Sequence, residues 1–229
     1  MQYNHRQNQI RVINKLAKQI KIGSLRSSTV LPVENFDMDS RLTLTVVHLP
    51  NKLLTEKLRK TIIEPLKRIY PQGYYYANDS LHITIKNIKA PSDPPTFSES
   101  DIVKAETVFS HVIPRHKKFR VYFYRLIQFP NSLSLVGATD PELDKIIEDL
   151  NTNLNKFGIP DDKKYVNSKY YFCNINLVRF NTTSPQFDHA VRELSQNISI
   201  KPYRVDSVCL ITANTVLKNL RVIKTLKLK

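Results

Sequence analysis

His82 and Thr84 stand two residues apart in the stretch Ser80-Leu-His-Ile-Thr-Ile-Lys86, and their types and spacing suit phosphate chemistry. On a strand, side chains alternate faces, so His82 and Thr84 share one face while Leu81, Ile83 and Ile85 point into a core. A phosphodiester uses both groups: an imidazole that moves a proton near neutral pH, and a hydroxyl that holds a non-bridging oxygen. Lys86 has the same parity and is expected to line the same surface. Further along, Phe172-Cys-Asn-Ile-Asn-Leu-Val-Arg-Phe180 has the same strand grammar, with Asn174 and Asn176 where a second His and Thr would stand. Asn gives and accepts hydrogen bonds but exchanges no proton at accessible pH. Arg179 leaves this strand on a face its spacing from Asn174 leaves open, as a phosphate cation or a surface charge. Tyr74-Tyr75-Tyr76, just before the first motif, either stack on bases or pack in the core.

The elements that must position these residues alternate strand and helix. Leu42 to Leu49 alternates as a strand, and Lys52 to Ile69 reads as a helix with Leu54, Leu58, Ile62, Leu66 and Ile69 in one stripe, broken or kinked at Pro65. Ser80 to Ile88 is the strand carrying His82, and the prolines at 91, 94 and 95 predict a loop over Lys89 to Phe97. Ser98-Glu-Ser-Asp101 opens a helix to about Ile113. Lys118 to Phe129 and Ser132 to Gly137 are apolar strands around Pro130-Asn131. A helix through Leu143, Ile146, Ile147, Leu150 and Leu154 is stopped by Gly158 and Pro160. Tyr170 to Phe180 is a strand, Pro185 to Gln196 a helix, and Val205 to Ala213 pairs with Leu220 to Leu228. A helix followed by a motif-bearing strand occurs twice, which suggests two similar lobes.

Residues 1–40 differ from the remainder, 41–229. No acidic residue precedes Glu34, while Arg6, Arg11, Lys15, Lys18, Lys21 and Arg26 are basic. Ile10, Ile13, Leu16, Ala17 and Ile20 recur at helical spacing, giving a basic amphipathic helix. It docks on the body, serves as a nucleic-acid arm, or targets an organelle, since such segments are basic and acid-poor. The expected location is intracellular: cytoplasmic, with the mitochondrion as the alternative. The net charge of +15 over 229 residues favours polyanionic partners, RNA or DNA first. No run of 18 apolar residues predicts a membrane span. No Cys/His cluster has metal-ligand spacing, four glycines make no phosphate loop, and no cofactor is expected. Cys173 and Cys209 read as reduced core residues.

Over roughly residues 41–228 the chain resembles the 2H phosphoesterase superfamily, most closely its 2′-5′ RNA ligase-like cyclic phosphodiesterases. Leu81-His-Ile-Thr-Ile85 and Tyr171-Phe-Cys-Asn-Ile-Asn-Leu-Val-Arg179 carry the resemblance, with Ile127-Gln-Phe-Pro-Asn-Ser-Leu-Ser-Leu135 between them. It implies a bilobal α+β fold in which two antiparallel sheets face a central, positively charged groove with helices outside. It also implies one His-x-Thr/Ser from each lobe on the groove floor, one His as general base and the other as acid. His82 and Thr84 match a complete half-site, whereas Asn174 and Asn176 depart from it. Three functions follow as expectations. The first is binding of RNA or another nucleotide phosphodiester with catalysis lost or reduced, phosphate resting on Asn174, Asn176, Lys86 and Arg179. The second is a working cyclic phosphodiesterase that uses His82. The third is a non-catalytic subunit of a ribonucleoprotein such as a ribosome.

Overall fold

Period-two alternation and helical stripes build the elements in the order the sequence suggests. They are α1 (Gln2–Lys21), β1 (Leu42–His48), α2 (Lys52–Leu58), α3 (Glu64–Ile69), β2 (Tyr74–Tyr75), β3 (Ile83–Ser92), α4 (Glu99–Val112), β4 (Phe119–Phe129) and β5 (Ser132–Thr139). Then come α5 (Glu142–Lys156), β6 (Cys173–Arg179), α6 (Pro185–Gln196), β7 (Tyr203–Val205), β8 (Ser207–Asn214) and β9 (Arg221–Lys227). The structure, a computed structural model, describes residues 2–25, 30–31, 33–162, 167 and 169–229; Arg26 lies outside them.

Local signals set the boundaries. Ser98 and Asp101 form a reciprocal capping box at the start of α4. The Ser184 side chain caps α6 ahead of Pro185, and Gly158, at φ +73°, ends α5 in the left-handed region. Pro65 does not break its helix. A π turn over Arg59–Ile63 joins α2 to α3 directly ahead of Pro65, so the helical run continues through the proline with its irregular hydrogen bonding taken up in that turn. Leu54, Leu58, Ile62 and Leu66 therefore form one buried stripe, while Ile69 is exposed. Lys89 to Phe97 is not wholly a loop, because β3 runs on to Ser92. The irregular register between Leu42 and Leu44 accommodates Pro91 there.

The strands form a nine-stranded antiparallel sheet in the order β7-β4-β5-β6-β3-β1-β8-β9, with β2 added to β6. It has two halves. β3, β1, β8 and β9 make the first lobe; β6, β5, β4 and β7 make the second. The two sheets expected from the sequence are thus joined edge to edge, and the join between β3 and β6 is a single residue pair, Ile83 with Ile175. The α+β bilobal class holds, with one continuous sheet in place of two separate ones.

Alternation sorts the two faces. Leu44, Val46, Ile83, Leu133, Leu135, Ile175 and Leu210 pack with residues of α2 to α6 in one core that spans both lobes. Thr43, Thr45, Thr84, Ser132, Ser134, Asn174 and Asn176 line a cavity on the other, groove-side face. No helix among the described residues is long and apolar enough to cross a membrane.

Candidate functional site

The Ile83–Ile175 pair fixes how the two motifs meet. Continuing that antiparallel register one residue each way sets His82 opposite Asn176 and Thr84 opposite Asn174. All four line one cavity of about 230 Å³. Among the described residues His82 is the only imidazole on its wall, and no Asp or Glu side chain lines it. Its polar lining is built from neutral amides and hydroxyls, with Arg179 as the one fixed cation among the described residues.

His82 sits one residue ahead of β3 and is 7% exposed. Its Nδ1 lies 2.9 Å from the Ser80 carbonyl oxygen. A carbonyl only accepts, so Nδ1 carries the proton and Nε2 keeps its lone pair. Burial pushes the ring down to about 4, Arg179 pushes the same way, and the Ser80 carbonyl opposes them. At neutral pH His82 is therefore an uncharged base with one open nitrogen.

The second motif forms a small hydrogen-bond cluster. Ser134 Oγ donates to Asn176 Oδ1 at 2.6 Å, and Asn174 Nδ2 donates to the same oxygen at 3.3 Å. With its oxygen engaged, the Asn176 amide has two N–H donors left for an anion. Asn174 keeps its carbonyl oxygen free to accept, but neither amide can supply a proton. Ser134 escaped the motif-based reading. The sign of it was polar alternation, Ser132-x-Ser134, inside an otherwise apolar strand.

Two β-bulges decide which cations reach the cavity. On β3, Val47 pairs with Thr84 but Val46 pairs with Lys86, so one extra residue is inserted between them. That reverses the alternation, because a one-residue slip sends each following side chain to the opposite face. Lys86 is turned to the helix side and fully buried, and it makes an ion pair with Asp161 beyond the end of α5. It does not line the cavity, contrary to its expected parity. Asn87 takes its place there and accepts from Thr45 Oγ1 at 3.0 Å.

On β6 the same device works in the other direction. Ser134 pairs with Asn176 but Leu133 pairs with Val178, which leaves Leu177 as the inserted residue. Arg179 is then paired with Ser132 and shares its groove-side face. The guanidinium is held from behind: its Nε donates to Tyr76 Oη at 3.0 Å, and Tyr76 Oη donates to the Thr215 carbonyl at 3.1 Å. Tyr76 is fully buried, and none of Tyr74, Tyr75 and Tyr76 lines the cavity. The terminal nitrogens of Arg179 have no partner among the described residues, although the side chain is only 5% exposed. A buried guanidinium with open donors beside amides and hydroxyls suits a phosphate group.

The chain has a 2H phosphoesterase-like fold. Among solved structures it is similar to a conserved protein of unknown function from Agrobacterium tumefaciens (TM-score 0.54, 14% identity, 90% of this chain and 97% of that one covered). It is also similar to the protein TT0787 of Thermus thermophilus (TM-score 0.52, 14% identity, 82% and 97% covered). A structure described as a phosphoesterase matches with TM-score 0.50 and 19% identity over 82% and 98% of the two chains. Identities this low establish a shared fold and leave the chemistry to the residues. No protein-family model matches the sequence, and no curated protein matches it.

Proposed function

We propose that this 2H phosphoesterase-like protein binds the phosphate of an RNA or other nucleotide phosphodiester in the cavity, with catalysis reduced. Arg179 supplies the charge, and the Asn176 amide and Thr84 hydroxyl supply further donors. His82 Nε2 faces the attacking hydroxyl or water. Its neutral state suits a base, but a group poised near 4 abstracts protons weakly at neutral pH. The opposite role, protonating the leaving oxygen, falls to Asn174, which has no proton to exchange. Loss of one acid–base partner costs about 10²–10⁴-fold in rate. The observation that carries this reading is the meeting of both motifs and a buried arginine on one wall where, among the described residues, no carboxylate stands and the arginine's terminal nitrogens have no partner.

The test uses short RNAs ending in a 2′,3′-cyclic phosphate, with binding and product both measured for the wild type and His82→Ala. Binding that weakens with salt and survives His82→Ala, with slow turnover in the wild type alone, is the expected result. No affinity at low salt would overturn the binding site. Rapid turnover abolished by His82→Ala would overturn the reduced catalysis and leave a working phosphodiesterase.

A further inference from the structure

The N-terminal helix lies on the same face of the sheet as the second motif. Val136 pairs with Asn174 and Ser134 with Asn176, so all four side chains share the groove side of the second lobe. On β4, Ile127 pairs with Ser134 and Phe129 with Ser132, which extends that face outward. Ile13 and Leu16 of α1 pack on Val136 and Ile127, flanked by Phe129 and Phe172. Ile13 and Leu16 are both fully buried, so the apolar area they remove from water holds the helix on this seat.

Polar contacts set the helix in register. Gln9, also fully buried, donates from Nε2 to Thr139 Oγ1 at 2.8 Å and to the Tyr171 carbonyl at 2.5 Å, and its Oε1 accepts from the Thr139 N–H at 2.8 Å. Asn8 Nδ2 donates to Tyr170 Oη at 3.0 Å, and Arg125 donates to Asn14 at 3.1 Å. Gln9, Ile13 and Leu16 fall on one helical stripe. Leu16 belongs to the wall of the cavity that holds His82, Asn174 and Arg179.

Resting on the binding reading above, we infer that α1 is a specificity element that fills the second lobe's side of the groove. A polynucleotide running from Arg179 past Asn174 toward Val136 would meet the buried side of α1. The strand must therefore stop at the site. The cavity takes a terminal phosphate or a mononucleotide and excludes a phosphodiester inside a continuous strand, and Gln9, Ile13 and Leu16 impose the limit.

The test compares a linear RNA bearing a 3′-phosphate with a covalently closed circle of the same sequence. Exposed Arg11, Lys15 and Lys18 attract any RNA. The readout is therefore the fraction displaced by excess nucleoside 3′-monophosphate at about 0.15 M salt. The linear RNA is expected to bind the cavity at least about 10-fold more tightly than the circle, a difference of about 1.4 kcal/mol. The variant Ile13→Asp/Leu16→Asp, checked for folding by circular dichroism, is expected to close that gap by admitting the circle. Equal displaceable binding of line and circle by the wild type overturns this inference while leaving the binding site standing. A folded variant that still rejects the circle also overturns it. Absence of displaceable binding by linear RNA and mononucleotide alike overturns the binding reading itself, and this one with it.

Discussion

The two motif strands, β3 and β6, meet at one residue pair, and each is bulged shortly beyond its motif, yet the bulges have opposite outcomes. On β3 the inserted residue removes a cation from the groove, and Lys86 becomes a buried partner of Asp161. On β6 it delivers one, and Arg179 arrives beside Ser132 with its terminal nitrogens unpartnered among the described residues. The lobes thus divide the work. The β3 side keeps the titratable ring and a hydroxyl, while the β6 side has amides, a serine and the fixed charge. On the function proposed above, the first side would move a proton and the second would hold an anion.

The sharpest way to remove this difference is to make the strands alike. Asn174→His with Asn176→Thr restores a second imidazole and hydroxyl. Opening of a terminal cyclic phosphate is expected to rise by about 10²–10⁴-fold and to be lost again on adding His82→Ala. No gain in a folded variant would show that the β6 side is not positioned for proton transfer.

Exchanging the cations tests the bulges. Arg179→Met removes charge-assisted hydrogen bonds worth about 1.5–3 kcal/mol, so nucleotide binding should weaken about 10–100-fold. Lys86→Met should leave binding unchanged and lower stability by about 1.5–3 kcal/mol, since the charge-assisted bond between Lys86 and Asp161 is lost. Calorimetric titration and denaturant melts separate the two effects. Equal loss of affinity in both variants would place Lys86 in the groove after all.

Titration probes the proton-moving side. His82 stays neutral in the fold down to about 4, whereas the unfolded chain takes up a proton below about 6.5. The unfolded state then binds more protons, so stability falls as pH drops from 6.5 toward 4, by about 1.4 kcal/mol per unit of separation. His82→Gln should make the fall in melting temperature across that window shallower by the His82 share, leaving the contributions of His5 and His48, whose rings burial also holds down, and of Asp144, which burial raises to about 7. A bound phosphate offsets Arg179, and NMR titration should show the ring's pKa rising when nucleotide is added. The smallest effect belongs to Ser134→Ala, which frees one acceptor position on Asn176. Loss of about 0.5–1.5 kcal/mol of nucleotide affinity is expected from the reoriented amide.

Much of this was legible in residue order. The period-two stretches and stripes placed most elements, including α6 at Pro185–Gln196; the repeated helix–strand rhythm suggested two lobes, and the fold class came from the family resemblance of the two motif strands. The His82/Thr84 and Asn174/Asn176 pairs share a cavity because their parity holds over three residues. Parity failed for Lys86 because register shifts arise from pairing between strands, and one chain's alternation does not reveal them. Arg179 was left open for the same reason. β2 and β7, two and three residues long, are too short for any periodicity. The seat of α1 was hidden because an apolar stripe identifies a buried face but not its partner.

That seat governs the order in which the molecule is completed during synthesis. Gln9 bonds to Thr139 and Tyr171, 130 and 162 residues further along the chain. A helix that leaves the ribosome ahead of both must therefore wait until β5 and the approach to β6 have emerged. The first lobe waits longer still, because β1 needs β8 as its neighbour. In the nascent chain α1 therefore finds its seat on the second lobe before β8 completes the first, so the groove is closed against a helix that is already in place.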